Sequence, residues 1–339
     1  MTLHYIPLLG SEIALSLYPQ LIKLVPSTLE LQVAIRCITY SILAIIGYFI
    51  TTYTNTYTNK TTSSILKNIN STNTTFSFII TSIIMGSVNI IHIISSYICF
   101  NTLSSGVGYS IFYIYPIFNL LGRTLIYNEK IDSINYIYIL ISILGVYLIY
   151  KHNNKETTIE PKLETNKEHN PEPNIDTKIE TIENIAQTNS FQTISDIINT
   201  KNTTTGIGAG LISALTESII YFMVKDNLGS ISPFIQLLKT YLLGGIVSIL
   251  YLIKTIPNTL DYQYWITLIL FNSLIGFVGY LLRFIMIPKL STLLFNSLIF
   301  IGVIFSYIWG YLLSNEPITY NTLSGTLFIL LSIGLINKT

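Results

Sequence analysis

SIFYIYPIF (Ser110–Phe118), followed by NEKI (Asn128–Ile131), returns later in the chain as SLIFIGVIF (Ser297–Phe305) followed by NEPI (Asn315–Ile318). Ser110, Phe118, Asn128, Glu129 and Ile131 match Ser297, Phe305, Asn315, Glu316 and Ile318 at one constant offset. Each phrase closes one long apolar run and opens another, the first containing Gly145 and the second Gly325 and Gly334. A phrase repeated at this distance divides the chain into two similar halves.

Working outward from the repeat, the question is how many times each half crosses a bilayer. A spanning helix needs about twenty mostly apolar residues, because each residue rises about 1.5 Å through a core about 30 Å thick. Ten segments qualify: Ile6–Val25, Leu31–Thr51, Phe76–Cys99, Gly106–Tyr127 and Ile134–Tyr150, then Gly206–Val224, Phe234–Ile253, Tyr264–Ile287, Leu293–Leu313 and Thr322–Ile336. Barrel strands would be about ten residues long with strict alternation, so these continuous runs predict helices. The predicted fold is all-α and integral to the membrane, with ten transmembrane helices. Five helices per half is an odd number, so residues 204–339 cross in the opposite sense to residues 1–151, as inverted repeats.

Composition agrees with this reading. Of 339 residues, 50% are hydrophobic and only 10% charged, with a mean hydropathy of +0.56, whereas a soluble domain carries about 25% charged residues. A net charge of +1 offers nothing to nucleic acid. Nine of the 17 acids fall between His152 and Thr203. Residues 152–203 therefore read as a polar, mostly disordered linker. Near its end Phe191, Ile194, Ile197 and Ile198 recur at helical spacing, which suits a short helix lying on the membrane surface. Met1–Val25 lacks a basic leader and a cleavage pattern, and reads as the first span rather than a signal peptide.

Enzymatic chemistry finds no footing. His4, His92, His152 and His169 are scattered, and Cys37 and Cys99 sit inside apolar runs as small buried hydrophobes. No metal-ligand spacing, cofactor motif or nucleophile elbow is present.

Lys and Arg in short loops set orientation. With the N-terminus cytosolic, Lys60, Lys67, Arg123, Lys130, Lys225, Arg283, Lys289 and Lys338 lie at or near cytosolic ends, against Lys23, Arg36, Lys151 and Lys254 near the other face. Both termini are then cytosolic and the linker lies opposite; which membrane is involved is not readable.

Arg36 early in the second helix, Pro116 in the fourth, Glu129 and Glu316 in the short loops after helices four and nine, and the glycine-bearing fifth and tenth helices together resemble the drug/metabolite transporter superfamily, in its EamA-like arrangement of five plus five helices. The resemblance covers nearly the whole chain except the linker. Val303 stands where the second copy would carry a proline. The resemblance implies a secondary transporter working by alternating access, on cargo that ranges across amino acids, nucleotide sugars, metabolites and drugs.

Ionisable groups inside apolar spans cost about 2.5–3.5 kcal/mol each on insertion scales and face a cavity or a partner. Glu12 in the first helix and Glu217 in the sixth occupy corresponding places. Each anchors a stripe at i+4 spacing, Glu12, Ser16, Gln20 with Lys23 nearby, and Ser213, Glu217, Tyr221, Lys225, which suggests a wet surface. Arg36 and Lys239 lie early in their second helices, at separations from the two Glu that differ by two residues. In one reading these groups line a shared cavity, where the carboxylates bind a cationic group or carry a coupled proton and Arg36 or Lys239 meets an anionic one. In the other they form helix–helix ion pairs, or the bases snorkel to the interface.

His92, with Asn89 and Ser96 on one face of the third helix, either titrates near neutral pH or packs against a carbonyl. Asn272, Gly276, Tyr280 and Arg283 share a face of the eighth. Tyr113, with Tyr109 and Pro116, is either aromatic packing or a cavity wall. Glu129 and Glu316 read as solvated capping residues. The expected partners are a small polar or charged solute, a coupled proton and the lipid bilayer, for a monomer or homodimer. A non-transporting scaffold or regulator that keeps the fold, and a channel, are the alternatives.

Overall fold

A computed structural model describes residues 5–25, 27–57, 72–128, 130, 132–157, 203–226, 231–255 and 262–336. Most of the linker, the surface helix expected at Phe191–Ile198 and Glu129 lie outside the described residues. Among these residues every regular element is helical. The elements are α1 (Ile6–Leu15), α2 (Tyr18–Leu24), α3 (Leu29–Tyr57), α4 (Thr72–Thr102), α5 (Ser105–Phe112), α6 (Tyr115–Tyr127), α7 (Ser133–Thr157), α8 (Thr203–Asp226), α9 (Pro233–Thr255), α10 (Tyr262–Phe271), α11 (Val278–Met286), α12 (Thr292–Leu298), α13 (Phe300–Ser314) and α14 (Tyr320–Ile336). A π-helical segment, Asn272–Phe277, runs between α10 and α11 without interrupting the rod.

Among the described residues, seven helical segments are long and apolar enough to cross a membrane: Leu29–Thr54, Phe78–Thr102, Ser133–Lys151, Thr203–Lys225, Pro233–Thr255, Tyr264–Met286 and Leu294–Ser314. Their polarity is arranged inside out. Ile42, Ile46, Phe49 and Ile50 form an exposed stripe on α3, as do Leu140, Ile143, Leu144 and Tyr147 on α7, while Arg36, Glu12, Glu217 and Arg283 are buried. A hydrocarbon surround suits that arrangement, because the exposed stripes are apolar and these four charged groups are withdrawn into the interior. The protein is an integral, multi-pass membrane protein.

Three of the ten expected spans are broken. Proline cannot donate to the carbonyl four residues earlier and clashes with it. Counting back four from Pro19 gives Leu15, the last residue of α1, and from Pro116 gives Phe112, the last residue of α5. The third break, at Ile299 between α12 and α13, has no proline; there the chain tightens so that the Gly302 amide donates to the Ile299 carbonyl at 3.0 Å. The Asn of each Asn-Glu phrase adopts the same rare backbone. Asn128 ends α6 at φ 55° and Asn315 ends α13 at φ 51°, the left-handed conformation that Asn tolerates best after Gly.

The helices pack in pairs drawn from the two ends of the chain: α3 with α9, α4 with α8, α7 with α14, and α1 with α11. The α7–α14 pair crosses at two glycines. A Cβ on Gly145 would lie 2.6 Å from the Gly325 carbonyl oxygen, and one on Gly325 would lie 2.8 Å from the Gly145 oxygen. Small residues at such a crossing let backbones approach, which is how helices associate where lipid removes the hydrophobic drive. Gly145→Val should therefore destabilise the purified protein by about 1–3 kcal/mol, the usual cost of overpacking, read as an earlier thermal unfolding midpoint in detergent. Gly208→Ala, at a site with nothing within 4 Å of the added Cβ, should leave the midpoint unchanged.

Candidate functional site

The buried charges of α1, α4, α8 and α11 converge. Arg283 on α11 lies 3.4 Å through Nε from Glu12 Oε1, and 3.1 Å through Nη1 from Glu217 Oε1. Its Nη2 donates to the Tyr115 hydroxyl at 2.7 Å. The Tyr113 hydroxyl donates to Glu12 Oε2. His92 Nε2 is 3.5 Å from Glu217 Oε2, and its Nδ1 faces the Ser213 carbonyl at 3.2 Å. Glu12 is fully buried and Arg283 is 1% exposed, so this is one desolvated network of two carboxylates, one guanidinium and one imidazole.

Local structure explains the convergence. The break after Leu15 lets α1 run against α11 and α13. The break at Pro116 turns Tyr113 and Tyr115 toward the same centre from either side of the interruption. The π-helical segment carries Gly276 under the Tyr18 and Tyr40 hydroxyls, where a Cβ would approach within 2.0 and 2.2 Å. Tyr18 donates to Asn272 Oδ1 at 2.8 Å and is hydrogen-bonded to Tyr40. An extra residue per turn of this kind often marks a functional stretch of helix.

Arg36 stands across a small cavity from this network. The cavity, about 20 Å³, is bordered by Tyr18, Arg36, His92, Ser96, Tyr280 and Arg283, among others, and holds about one water-sized group. The Arg36 guanidinium lies over the rings of Tyr18, Tyr280, Tyr40 and Tyr97 at 4.6, 5.0, 5.5 and 5.7 Å, and Nη2 donates to the Tyr241 hydroxyl at 3.3 Å. A ring face contributes about 0.5–2 kcal/mol to a nearby cation, while desolvating a charge costs several kcal/mol. Among the described residues no carboxylate lies within ion-pair distance of Arg36, and its Nε has no hydrogen-bond partner.

Of the residues singled out in the sequence, Glu12, Glu217, His92 and Tyr113 meet in the network and Arg36 faces the same cavity. Lys239 and Tyr221 do not join them. The Lys239 ammonium sits over the Phe78 ring at 4.7 Å, and Tyr221 donates to Thr292 Oγ1 at 2.9 Å beside Phe295. Two residues of extra separation turn a helical side chain through about 200°, so Lys239 cannot mirror Arg36. The residue at the spacing of Arg36 from Glu12 is Tyr241, which itself binds Arg36. The expected wet stripe on the first helix is a dry packing seam. Ser16 and Gln20 are buried; Ser16 accepts from Trp309 Nε1 at 3.0 Å, Gln20 donates to Ser105 Oγ at 2.6 Å, and Lys23 pairs with Glu316. Glu316 is accordingly not a solvated cap: it also accepts from the Ser105 amide at 2.6 Å.

Arg283 is the residue that sequence reasoning misplaced, since a base four residues from the end of an apolar run looks like a snorkelling anchor. Its signal was the face it shares with Asn272, Gly276 and Tyr280. Among the described residues no group of His, Cys, Asp or Glu could hold a metal ion.

Removing the guanidinium leaves two buried carboxylates facing each other, and breaking a buried pair costs about 3–5 kcal/mol. Arg283→Gln should lower the thermal midpoint strongly in detergent. Arg283→Met combined with Glu12→Gln and Glu217→Gln should restore most of the loss, because no charge is then left uncompensated.

No curated protein matches the chain. A solved structure described as "Crystal structure of protein" is similar over 98% of this chain and 93% of that chain, with a TM-score of 0.52 and 10% sequence identity, a likeness of fold alone. Residues 204–338 match the model of the EamA-like transporter family, a match that supports the likeness to the drug/metabolite transporter superfamily.

Proposed function

We propose that the protein is a secondary transporter of a small polar or charged solute, working by alternating access between two inverted five-helix repeats, residues 1–151 and 204–339, joined by the polar linker. The observation that carries this reading is Arg283 held jointly by Glu12 and Glu217, one carboxylate from each half. A scaffold gains nothing from burying three ionisable groups, whereas a carrier needs a centre whose charge balance changes with its load.

The packing supports the repeat. Exchanging the halves maps α1–α11 onto α8–α4, and with it the Glu12–Arg283 pair onto the Glu217–His92 pair. Reaching ten spans requires counting α1 with α2, and α5 with α6, as broken helices, and admitting the shorter apolar helix Tyr320–Leu335. Broken helices near a binding centre are a recurrent feature of carriers.

The His92–Glu217 contact offers a seat for a coupled proton. If Nδ1–H donates to the Ser213 carbonyl, neutral His92 presents a lone pair to the Glu217 carboxylate; one added proton turns that opposition into a hydrogen bond. Glu12 and Glu217 remain the coupling candidates, with Tyr113 fixing Glu12.

The test is uptake into proteoliposomes, using a solute that raises the melting temperature of the purified protein in a screen of amino acids, nucleotide sugars and amines. Glu217→Gln should abolish uptake driven by an imposed pH gradient while keeping solute exchange. Unchanged driven uptake in Glu12→Gln, Glu217→Gln and the double variant would contradict the reading. Orientation is tested separately: with both termini cytosolic, a cysteine replacing exposed Lys130 should be labelled from the cytosolic side, and one replacing Lys151 from the opposite side. The reverse pattern would overturn the orientation alone.

A further inference from the structure

We infer that Arg36 is an oxyanion subsite, so that the transported solute carries a carboxylate or a phosphate group; this rests on the transporter reading above. Arg36 is 3% exposed and borders the same cavity as Arg283, His92 and Ser96. Its charge is handled differently from that of its neighbour. Arg283 is held by two carboxylates, whereas among the described residues Arg36 has none; the Nε of each guanidinium lacks a hydrogen-bond partner.

A guanidinium presents five N–H donors in a planar fork that matches an oxyanion bidentately. The surrounding tyrosine rings hold the plane of that fork but supply no full negative charge. Tyr241 takes one donor, on Nη2. Glu12 and Glu217 do not border the cavity; they offset Arg283, which does, so Arg36 is the cation on its lining with no carboxylate partner among the described residues. The cavity has room here for about one water-sized group, so a solute enters only in a conformation where it is wider, with its anionic group at Arg36. That alignment also explains why Arg36 is an arginine, since lysine offers a point charge without the fork.

The experiment is a thermal-shift and binding titration of the full-length purified protein with matched pairs: lactate and lactamide, L-leucine and L-leucinamide, glycerol 3-phosphate and glycerol. Each pair differs in the oxyanion, and the carboxylate and phosphate pairs separate the two chemistries. The acidic member of at least one pair should stabilise the protein and its partner should not. Arg36→Lys should weaken that binding at least tenfold and Arg36→Gln should abolish it, while Lys239→Gln, which removes a cation outside the cavity, retains it. Folding of each variant is checked by a monodisperse gel-filtration peak, and Arg36→Lys keeps the test open if Arg36→Gln does not fold. Stabilisation by the amides or glycerol alone, by none of these compounds, or equal affinity in Arg36→Lys would overturn the inference. Uptake of an amide or glycerol in proteoliposomes would leave the transporter reading standing while removing the anionic solute.

Discussion

Two carboxylates that belong to distant parts of the chain share one cation in a dry interior, and Arg283 is that cation. Hydrocarbon offers no water to either Glu12 or Glu217, and an unpaired charge at that depth is more costly than any single packing contact can offset. The position of α1 against α11, and of α8 against α4, is therefore tied to one guanidinium and its 3.4 and 3.1 Å contacts. Tyr115, Tyr113 and His92 complete the set by giving each charged group a further polar neighbour.

Around that centre the helices are shaped to let it form. Continuous rods would carry Tyr113 and Tyr115 along one helical path; the break at Pro116 and the break before Pro19 bend two helices where they meet the network. The outer seam, Lys23 with Glu316 and Ser105, ties α2 to the start of α5 and the end of α13. Close glycine contacts between α7 and α14 hold another pair of helices by shape instead of charge. Charge thus fixes the middle of the molecule, and small residues fix this flank.

Much of the architecture was legible because the bilayer restricts what an apolar run can be. The long apolar runs, the repeated Asn-Glu phrase and the intramembrane carboxylates all carry signals that a single sequence displays, and the structure adds that Asn128 and Asn315 share a left-handed backbone. The missing parts were those that depend on rotation about a helix axis. Lys239 and Arg36 looked equivalent by separation, yet two residues put them on opposite faces. The stripe Glu12, Ser16, Gln20 and Lys23 correctly marked one face of a helix, but polarity alone could not tell a wet cavity from a seam of hydrogen bonds to α5 and α13. The break at Ile299 and the π-helical segment had no proline to announce them, and Arg283 sat where a surface anchor would also sit.

If one guanidinium joins the two carboxylates, their contributions to stability must be coupled even though they lie on different helices. Unfolding midpoints and enthalpies of the wild type, Glu12→Gln, Glu217→Gln and the double variant, measured in the same detergent, give that coupling directly. The account predicts that the double variant departs from the sum of the two single effects by more than about 0.5 kcal/mol, beyond the scatter seen for independent sites. Effects that add within that margin would mean that Glu12 and Glu217 do not share Arg283, and would contradict the central claim.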